Sequence, residues 1–210
     1  MCVFWKKRPD AFKRMGVISL FVLMLALLPA NAVAEYSKGN YQINLRIPLS
    51  IPTFVHLQKG EPDNHSGQTL VFSDMGFKGI QGGVEADVGY FLNDKLSVGG
   101  ILGYDFAYDR GGRILSKVPI LCKANYILFS QGIVEVPASA FLGVNYWKYH
   151  SQEHFVLHAG VEIGVNAFWS ESWGAIFRTG FWIYPELYAD SYKSNISGFI
   201  PIVLGVTYRR

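Results

Sequence analysis

Residues 41–51 read YQINLRIPLSI, and every second position, from Tyr41 to Ile51, is apolar. Polar residues and one proline fill the positions between them. A period of two over this length is typical of an extended strand with two unlike faces. Similar alternation returns along the rest of the chain. The sequence therefore predicts an all-β protein.

The N-terminus has the three parts of an export signal. A basic start around Lys6 is followed by an apolar run from about Val17 to Leu28, and small residues at Ala32 and Ala34 precede Glu35. This order predicts a secretory signal peptide over residues 1–34 and a mature domain over residues 35–210. The alternative is a membrane-anchoring helix, for which the apolar run is short.

Charge and cysteine content narrow the function classes. The whole chain carries a formal charge of +3. The leader contains five of the 19 basic residues and one of the 16 acidic residues, so the mature chain is near −1. The sequence therefore gives no argument for a nucleic-acid partner. Cys2 leaves with the leader and Cys122 has no partner within the exported chain, which excludes an internal disulfide framework.

Eight segments with period-two alternation predict eight strands. No apolar run after the leader reaches the roughly 18 residues of a membrane-spanning helix, so a membrane-spanning form must be a closed barrel. Connections alternate between generally longer and shorter ones, as in an antiparallel up-and-down transmembrane β-barrel. The predicted strands are residues 40–51, 80–91, 96–109, 114–128, 133–147, 155–169, 173–184 and 198–209.

The two faces of the predicted strands differ in the size of their side chains. The lumen of an eight-stranded barrel is just wide enough for side chains to fill, and the apolar face carries too many bulky residues for it. The other face is rich in glycine and holds the charged residues. We therefore expect the polar face inside and the apolar face against lipid. Four prolines share the inward parity, and each predicts a bulge or a missing hydrogen bond: Pro48, Pro119, Pro137 and Pro201.

Nine charged residues fall on the inward face. Four cations and five anions nearly balance, and buried charges must be paired or solvated. One interpretation is structural, with ion pairs that fill and rigidify the barrel. The other is a polar path that Arg46 and Arg178 gate by pairing with the carboxylates. The predicted lumen network is Arg46, Glu85, Asp87, Asp105, Lys117, Lys123, Glu135, Glu162 and Arg178.

Aromatic residues gather near the predicted strand ends. This distribution is typical of the aromatic girdles at membrane interfaces. Ordinary β-propensity is the alternative explanation. The residues are Tyr90, Phe91, Tyr126, Trp169, Trp173 and Tyr208 at the turn side, and Tyr104, Phe106, Tyr108 and Tyr146 at the loop side.

Three segments resemble the small eight-stranded outer membrane barrels of the OmpW, OmpX and OmpA-transmembrane type. They are residues 83–100 (GVEADVGYFLNDKLSVGG), residues 118–126 (VPILCKANY) and residues 204–210 (LGVTYRR). The resemblance implies a bacterial outer membrane location, reached through the periplasm, with membrane lipid as a partner. It also implies that the barrel-assembly machinery reads Leu204, Val206 and Tyr208 during insertion. That signal usually ends in an aromatic residue, whereas here two arginines follow.

Three functions stay open at this stage. The leading hypothesis is a non-enzymatic barrel that forms a narrow conduit for small solutes; the long first loop resembles that of OmpW-type proteins, a family linked to small hydrophobic solutes. The alternative is a surface-exposed structural or adhesive protein that binds a host or surface ligand through residues 52–79 and the shorter loops. The third is a lipid A-modifying enzyme, suggested by His150, Glu153, His154 and His158. Solvated histidines are the simpler interpretation, so we predict no catalytic residue, no metal site and no cofactor.

Overall fold

The structure is a computed structural model that describes residues 37–56, 69–71, 81–108, 112–186 and 195–210. The predicted signal peptide over 1–34 lies outside these residues. No helix in the described ranges has the length and hydropathy needed to cross a bilayer. The strands are β1 (Tyr41–His56), β2 (Thr69–Val71), β3 (Gln81–Phe91), β4 (Leu96–Tyr108), β5 (Ile114–Gln131), β6 (Val134–Tyr149), β7 (Gln152–Phe168), β8 (Trp173–Pro185) and β9 (Ile196–Arg209).

Eight long strands close into an antiparallel barrel. Each strand from β3 to β8 pairs with the next, and β1 pairs with both β3 and β9. Tyr41 lies opposite Tyr90 of β3, and Ile43 lies opposite Tyr208 of β9. The short β2 pairs only with the last residues of β1. The prediction of an eight-stranded up-and-down β-barrel is confirmed.

The start of β1 and the end of β9 lie at the same rim of the barrel. This rim also carries the short turns, and we call it the turn rim. Residues 92–95, 132–133 and 169–172 form these turns. The backbone N–H groups of Lys95 and Leu96 both donate to Asn93 Oδ1 at 2.9 Å, the side-chain turn that asparagine favours. The Tyr41 and Arg210 backbones exchange two hydrogen bonds at 2.8 and 3.0 Å, which closes the rim. The opposite end is the loop rim.

The wall has an apolar outer face and a polar inner face. On β1, Asn44 and Arg46 are buried, whereas Leu45 and Ile47 between them are about half exposed. The same alternation continues around the barrel. Nine of the ten predicted girdle residues lie on the outer face near the strand ends. Phe91 is the exception: its side chain is fully buried at the turn rim, because it falls on the inward parity of β3.

The predicted strand bounds 133–147 and 155–169 imply a seven-residue connection over residues 148–154, and this prediction is wrong. β6 continues to Tyr149 and β7 begins at Gln152, so a two-residue turn at His150 and Ser151 joins them. His150 has a φ of 56°, in the left-handed region that tight turns use. At the rim the outward residues Lys148 and Glu153 are polar and the inward residues Trp147 and Tyr149 are aromatic, so the alternation of an apolar outer and a polar inner face is lost in the sequence.

The four inward prolines interrupt four alternate ladders. Pairing stops for two residues at the proline in β1–β3, β4–β5, β6–β7 and β8–β9 and then resumes in the same register. Proline has no N–H to donate to the neighbouring strand, so each ladder lacks hydrogen bonds at its proline, as the sequence predicts. Continuing each register places a glycine opposite each proline: Gly83 opposite Pro48, Gly103 opposite Pro119, Gly164 opposite Pro137 and Gly180 opposite Pro201.

Candidate functional site

The lumen is the candidate site, and it buries every charged residue that the sequence placed there. The most exposed of the nine, Lys123, has only 8% of its surface accessible. They lie in a central cluster, a turn-rim cluster and a region near the loop rim. The nine are Arg46, Glu85, Asp87, Asp105, Lys117, Lys123, Glu135, Glu162 and Arg178.

Arg46 organises the central cluster. Its Nη2 lies 2.6 Å from Glu162 Oε1 on β7, across the lumen from β1. Its Nε lies 3.2 Å from Glu85 Oε2, and its Nη1 lies 3.6 Å from Asp87 Oδ2. Asp87 also pairs with Lys123. One guanidinium therefore holds three carboxylates and ties opposite walls of the barrel together.

Glycine makes room for these long side chains. In the β3–β4 ladder, Gly83 lies opposite Asp105, and Gly103 lies opposite Glu85. A Cβ on Gly83 would overlap the Asp105 carboxylate, and a Cβ on Gly103 would lie 2.6 Å from Glu85 Cγ. The β7–β8 ladder repeats the arrangement, with Gly164 opposite Arg178 and Gly180 opposite Glu162. Each charged side chain thus extends over the bare backbone of its neighbour.

A second cluster closes the turn rim, and sequence reasoning missed its central member. Arg209 Nη1 donates to Glu135 Oε1 at 2.8 Å, and Arg209 Nε donates to the Glu171 carbonyl at 2.6 Å. The guanidinium carbon lies 3.7 Å from the centre of the Phe168 ring. Asn166 donates to Glu135 at 3.1 Å and accepts from the remaining predicted cation, Arg178, at 2.9 Å. The inward parity of β9 was the signal available for Arg209.

Aromatic side chains fill the lumen near the loop rim, which the sequence did not predict. The His158 ring stacks on Tyr184 at 4.2 Å and lies 5.2 Å from Trp182. Trp182 Nε1 donates to Glu162 Oε1 at 3.1 Å, which joins this region to the central cluster. We call this region the aromatic chamber; its members are Phe141, Trp147, His158, Trp182, Tyr184 and Phe199.

Lys117 projects into the aromatic chamber. Its Nζ donates to Gln81 Oε1 at 2.7 Å and lies 5.5 Å from the Tyr184 ring centre and 5.6 Å from that of Phe199. Asp105 lies directly opposite Lys117 in the β4–β5 ladder. The charge at this end of the lumen is therefore one ammonium and one carboxylate among rings.

The structure does not bring the suspected catalytic residues together. His154 lies in β7 rather than in a loop, with its ring 5.8 Å from Trp147. His158 is buried in the aromatic chamber. Glu153 instead pairs with Lys148 at 2.6 Å on the outside of the rim, where hydrogen bonds from Lys148 and Tyr146 hold the pKa of the Glu153 carboxyl below 4.5. Within the described ranges, no three His, Cys, Asp or Glu residues form a group that could hold a metal.

The three residues of the predicted insertion signal point away from the lumen. Leu204 and Val206 are about two-fifths exposed on the lipid face of β9. The Tyr208 ring lies 5.0 Å from that of Trp173 and 6.3 Å from that of Tyr41, within the turn-rim girdle. Their role in insertion stays a prediction.

Of two cavities in the wall, one opens to the outside and the other lies in the lumen. A cavity of about 490 Å³ is an apolar depression on the lipid face, where Ala124, Ala138 and Ala140 leave room among larger side chains. A polar cavity of about 10 Å³ lies inside the barrel beside Asp87 and Lys123. The latter volume suits about one water molecule.

Solved structures of other barrels resemble this chain. Neisserial surface protein A matches with a TM-score of 0.55 and 13% identity, over 81% of this chain and 99% of that one. OprG from Pseudomonas aeruginosa matches with a TM-score of 0.46 and 13% identity, over 85% and 99%. Ail from Yersinia pestis matches with a TM-score of 0.43 and 10% identity, over 82% and 99%. At these identities the likeness shows the fold alone.

The sequence comparisons differ in outcome. Among curated proteins, none matches the chain. A protein-family model matches residues 27–208, a range that contains β1 to β8 and almost all of β9. The closed antiparallel wall and the apolar outer face agree with the likeness to neisserial surface protein A, which of these three structures is the one with a TM-score above 0.5. The chain therefore has the fold of the small eight-stranded outer membrane β-barrels.

Proposed function

We propose that this protein is a closed, non-enzymatic outer membrane barrel that anchors loop-rim segments at the cell surface. The observation that supports this most is the filled lumen. Side chains occupy it at three levels: the Arg209 cluster at the turn rim, the Arg46 cluster at the centre and the aromatic chamber near the loop rim. A barrel filled in this way serves as a rigid support rather than as a pore.

The energetics favour a lumen that stays closed. Opening a path past the central cluster would separate Arg46 from Glu162 and leave buried charges without partners. Separating a buried ion pair is costly, because each ion has lost its hydration and depends on the other. The interior cavity of about 10 Å³ gives a solute no room beside these side chains.

The loop rim offers the material for surface contacts. Four segments connect strands there, and the longest contains the polar stretch KGEPDNHSG over residues 59–67. The Lys148–Glu153 pair is about half exposed on the outside of the same rim. One structural neighbour is named as a surface protein. We propose a host or surface ligand as the partner of this rim, membrane lipid as the partner of the wall, and the barrel-assembly machinery as a transient partner of β9.

Deletion of residues 57–68, closed by two glycines that can form the turn between His56 and Thr69, tests the surface role. We expect cells that express the deletion variant to lose attachment to a host-cell or matrix surface that the wild type binds. Heat-modifiable migration on a denaturing gel should show that the barrel still folds. The double substitution Gly132→Asn/Ile133→Gly at the turn rim, which keeps a two-residue turn, is the matched control and should leave attachment unchanged. Equal attachment of the 57–68 deletion and the wild type would refute the surface role.

A gated solute conduit is the second candidate, favoured by the single guanidinium that joins β1 to β7 across the lumen. Planar-bilayer recordings separate the two functions. The closed anchor predicts no conductance steps from the wild type. Steps from Arg46→Ala but not from the wild type would favour a gate, and steps from the wild type would overturn the closed anchor. An unchanged lipid A mass on expression is expected if the barrel is non-enzymatic.

A further inference from the structure

The aromatic chamber contains a positive charge that is held mainly by rings. Lys117 is 99% buried, and its ammonium lies within 6 Å of the centres of two aromatic rings, Tyr184 and Phe199. Gln81 supplies one acceptor at 2.7 Å. Ring faces attract cations within about 6 Å, and the attraction grows when water is excluded.

The chamber also contains a carboxylate that accepts no hydrogen bond from the described residues. Asp105 is 97% buried, and neither carboxylate oxygen accepts a hydrogen bond from any residue in the described ranges. Within the same ranges, the Tyr184 hydroxyl also has no hydrogen-bond partner. A buried carboxylate needs a donor or a cation beside it. Its position opposite Lys117 in the ladder makes it the counter-charge of this chamber.

We propose that the aromatic chamber is a binding site for a monovalent ammonium group, with Lys117 as its built-in ligand. Ring faces, an amide oxygen and a carboxylate together match the compact charge and three N–H donors of an ammonium. A guanidinium is planar and wider, and a sodium ion has no N–H to donate. The site is separate from the central cluster, whose cations Arg46 and Lys123 are held by carboxylates.

In the wild type the ammonium of Lys117 already occupies the site, because the lysine side chain is attached to the barrel wall. Because the ammonium is attached to β5, its effective concentration at the chamber is far above that of a free amine in solution. Truncating Lys117 to alanine removes the ammonium and most of its stem, and leaves the rings and Asp105 in place. Methylammonium, which reproduces the end of the lysine side chain, is the probe for the space that results.

The test is a urea titration of the purified protein in detergent micelles, in methylammonium chloride and in sodium chloride at equal ionic strength. In Lys117→Ala, methylammonium should raise the unfolding midpoint progressively with its concentration, as a ligand of the folded state does. Sodium should not. The wild type should respond equally to both salts. Lys117→Ala/Asp105→Asn should lose the selective response.

Tryptophan fluorescence gives a second readout. Trp147 and Trp182 belong to the chamber wall, whereas Trp169 and Trp173 are exposed on the outer face. In a Trp169→Phe/Trp173→Phe background, methylammonium should change the emission of Lys117→Ala saturably. Equal effects of the two salts on Lys117→Ala would overturn the proposal. If that variant fails to fold in sodium chloride, recovery of folding in methylammonium supports the site, and failure in both salts overturns it.

Discussion

Replacing Arg46 by methionine tests whether the central cluster stabilises the barrel through charge. Methionine keeps an unbranched apolar stem but ends before the position of the guanidinium, and it has no charge and no N–H groups. In the wild type, Arg46 Nη2 lies 2.6 Å from Glu162 and Arg46 Nε lies 3.2 Å from Glu85. Both carboxylates are almost completely buried.

The expected cost follows from what remains after the substitution. Asp87 keeps its pairing with Lys123, so it loses little. Glu162 keeps one hydrogen bond, from Trp182. Arg46 is the one cation within ion-pair distance of Glu85 among the described residues. Removing one partner of a buried ion pair costs about 3–5 kcal/mol, so we expect Arg46→Met to lower the free energy of unfolding by about that amount.

Urea unfolding in lipid vesicles, followed by tryptophan fluorescence, measures this cost. The matched control is Ile47→Met, which changes the next residue on the lipid face and should stay within about 0.5 kcal/mol of the wild type. Adding Glu85→Gln to Arg46→Met should recover about 1–3 kcal/mol, since the two residues contact each other. A loss below about 1 kcal/mol for Arg46→Met would refute the view that this ion-pair cluster is a major stabilising element.

Three further outcomes follow from the lumen and the rim. Gly83→Ala should lower the free energy of unfolding by about 1–3 kcal/mol, because the new Cβ overlaps the Asp105 carboxylate on the neighbouring strand. Arg209→Ala should cost about 3 kcal/mol, because Glu135 is fully buried and loses this cation. The contribution of Glu153 to stability should be present above its unfolded pKa of about 4.5 and lost as the pH falls through its lower folded pKa. Urea midpoints in vesicles measure the first two, and midpoints as a function of pH measure the third.

Each of these outcomes has a close control. Gly82→Ala adds a methyl group at the next residue, where the nearest atom is 3.4 Å away, so it should be nearly neutral. Arg210→Ala removes an exposed arginine beside Arg209 and should also be nearly neutral. Lys148→Gln should reduce the acid-dependent change assigned to Glu153. Equal effects of a test variant and its control would contradict the corresponding explanation.

The wall of the barrel could be predicted from sequence because lipid imposes one pattern on every strand. Within the bilayer, outward residues are apolar and inward residues are polar or small, so parity alone assigns Arg46 and Glu162 to the lumen. The strand count, the direction of both faces and the burial of all nine charged residues follow from this rule.

The two ends of the lumen could not be predicted in the same way. The segment Phe181–Tyr184 is aromatic or aliphatic at every position, so its pattern does not reveal that Trp182 and Tyr184 point inward. Arg209 follows an outward tyrosine at the end of the chain, where it resembled a variant of a terminal signal rather than a member of the lumen. Ion-pair partners also depend on distances across the barrel, which sequence spacing does not contain.

The proline–glycine pairs divide the wall into four two-stranded units. The ladders within β3–β4, β5–β6, β7–β8 and β9–β1 are continuous apart from single bulges, whereas each boundary between units lacks donors at one level. Amide hydrogens beside those boundaries should exchange with solvent before the others, because fewer bonds must break for the wall to open there. Three of these units are the hairpins β3–β4, β5–β6 and β7–β8, and the fourth joins the first and last strands, so the wall should separate between units before it separates within them.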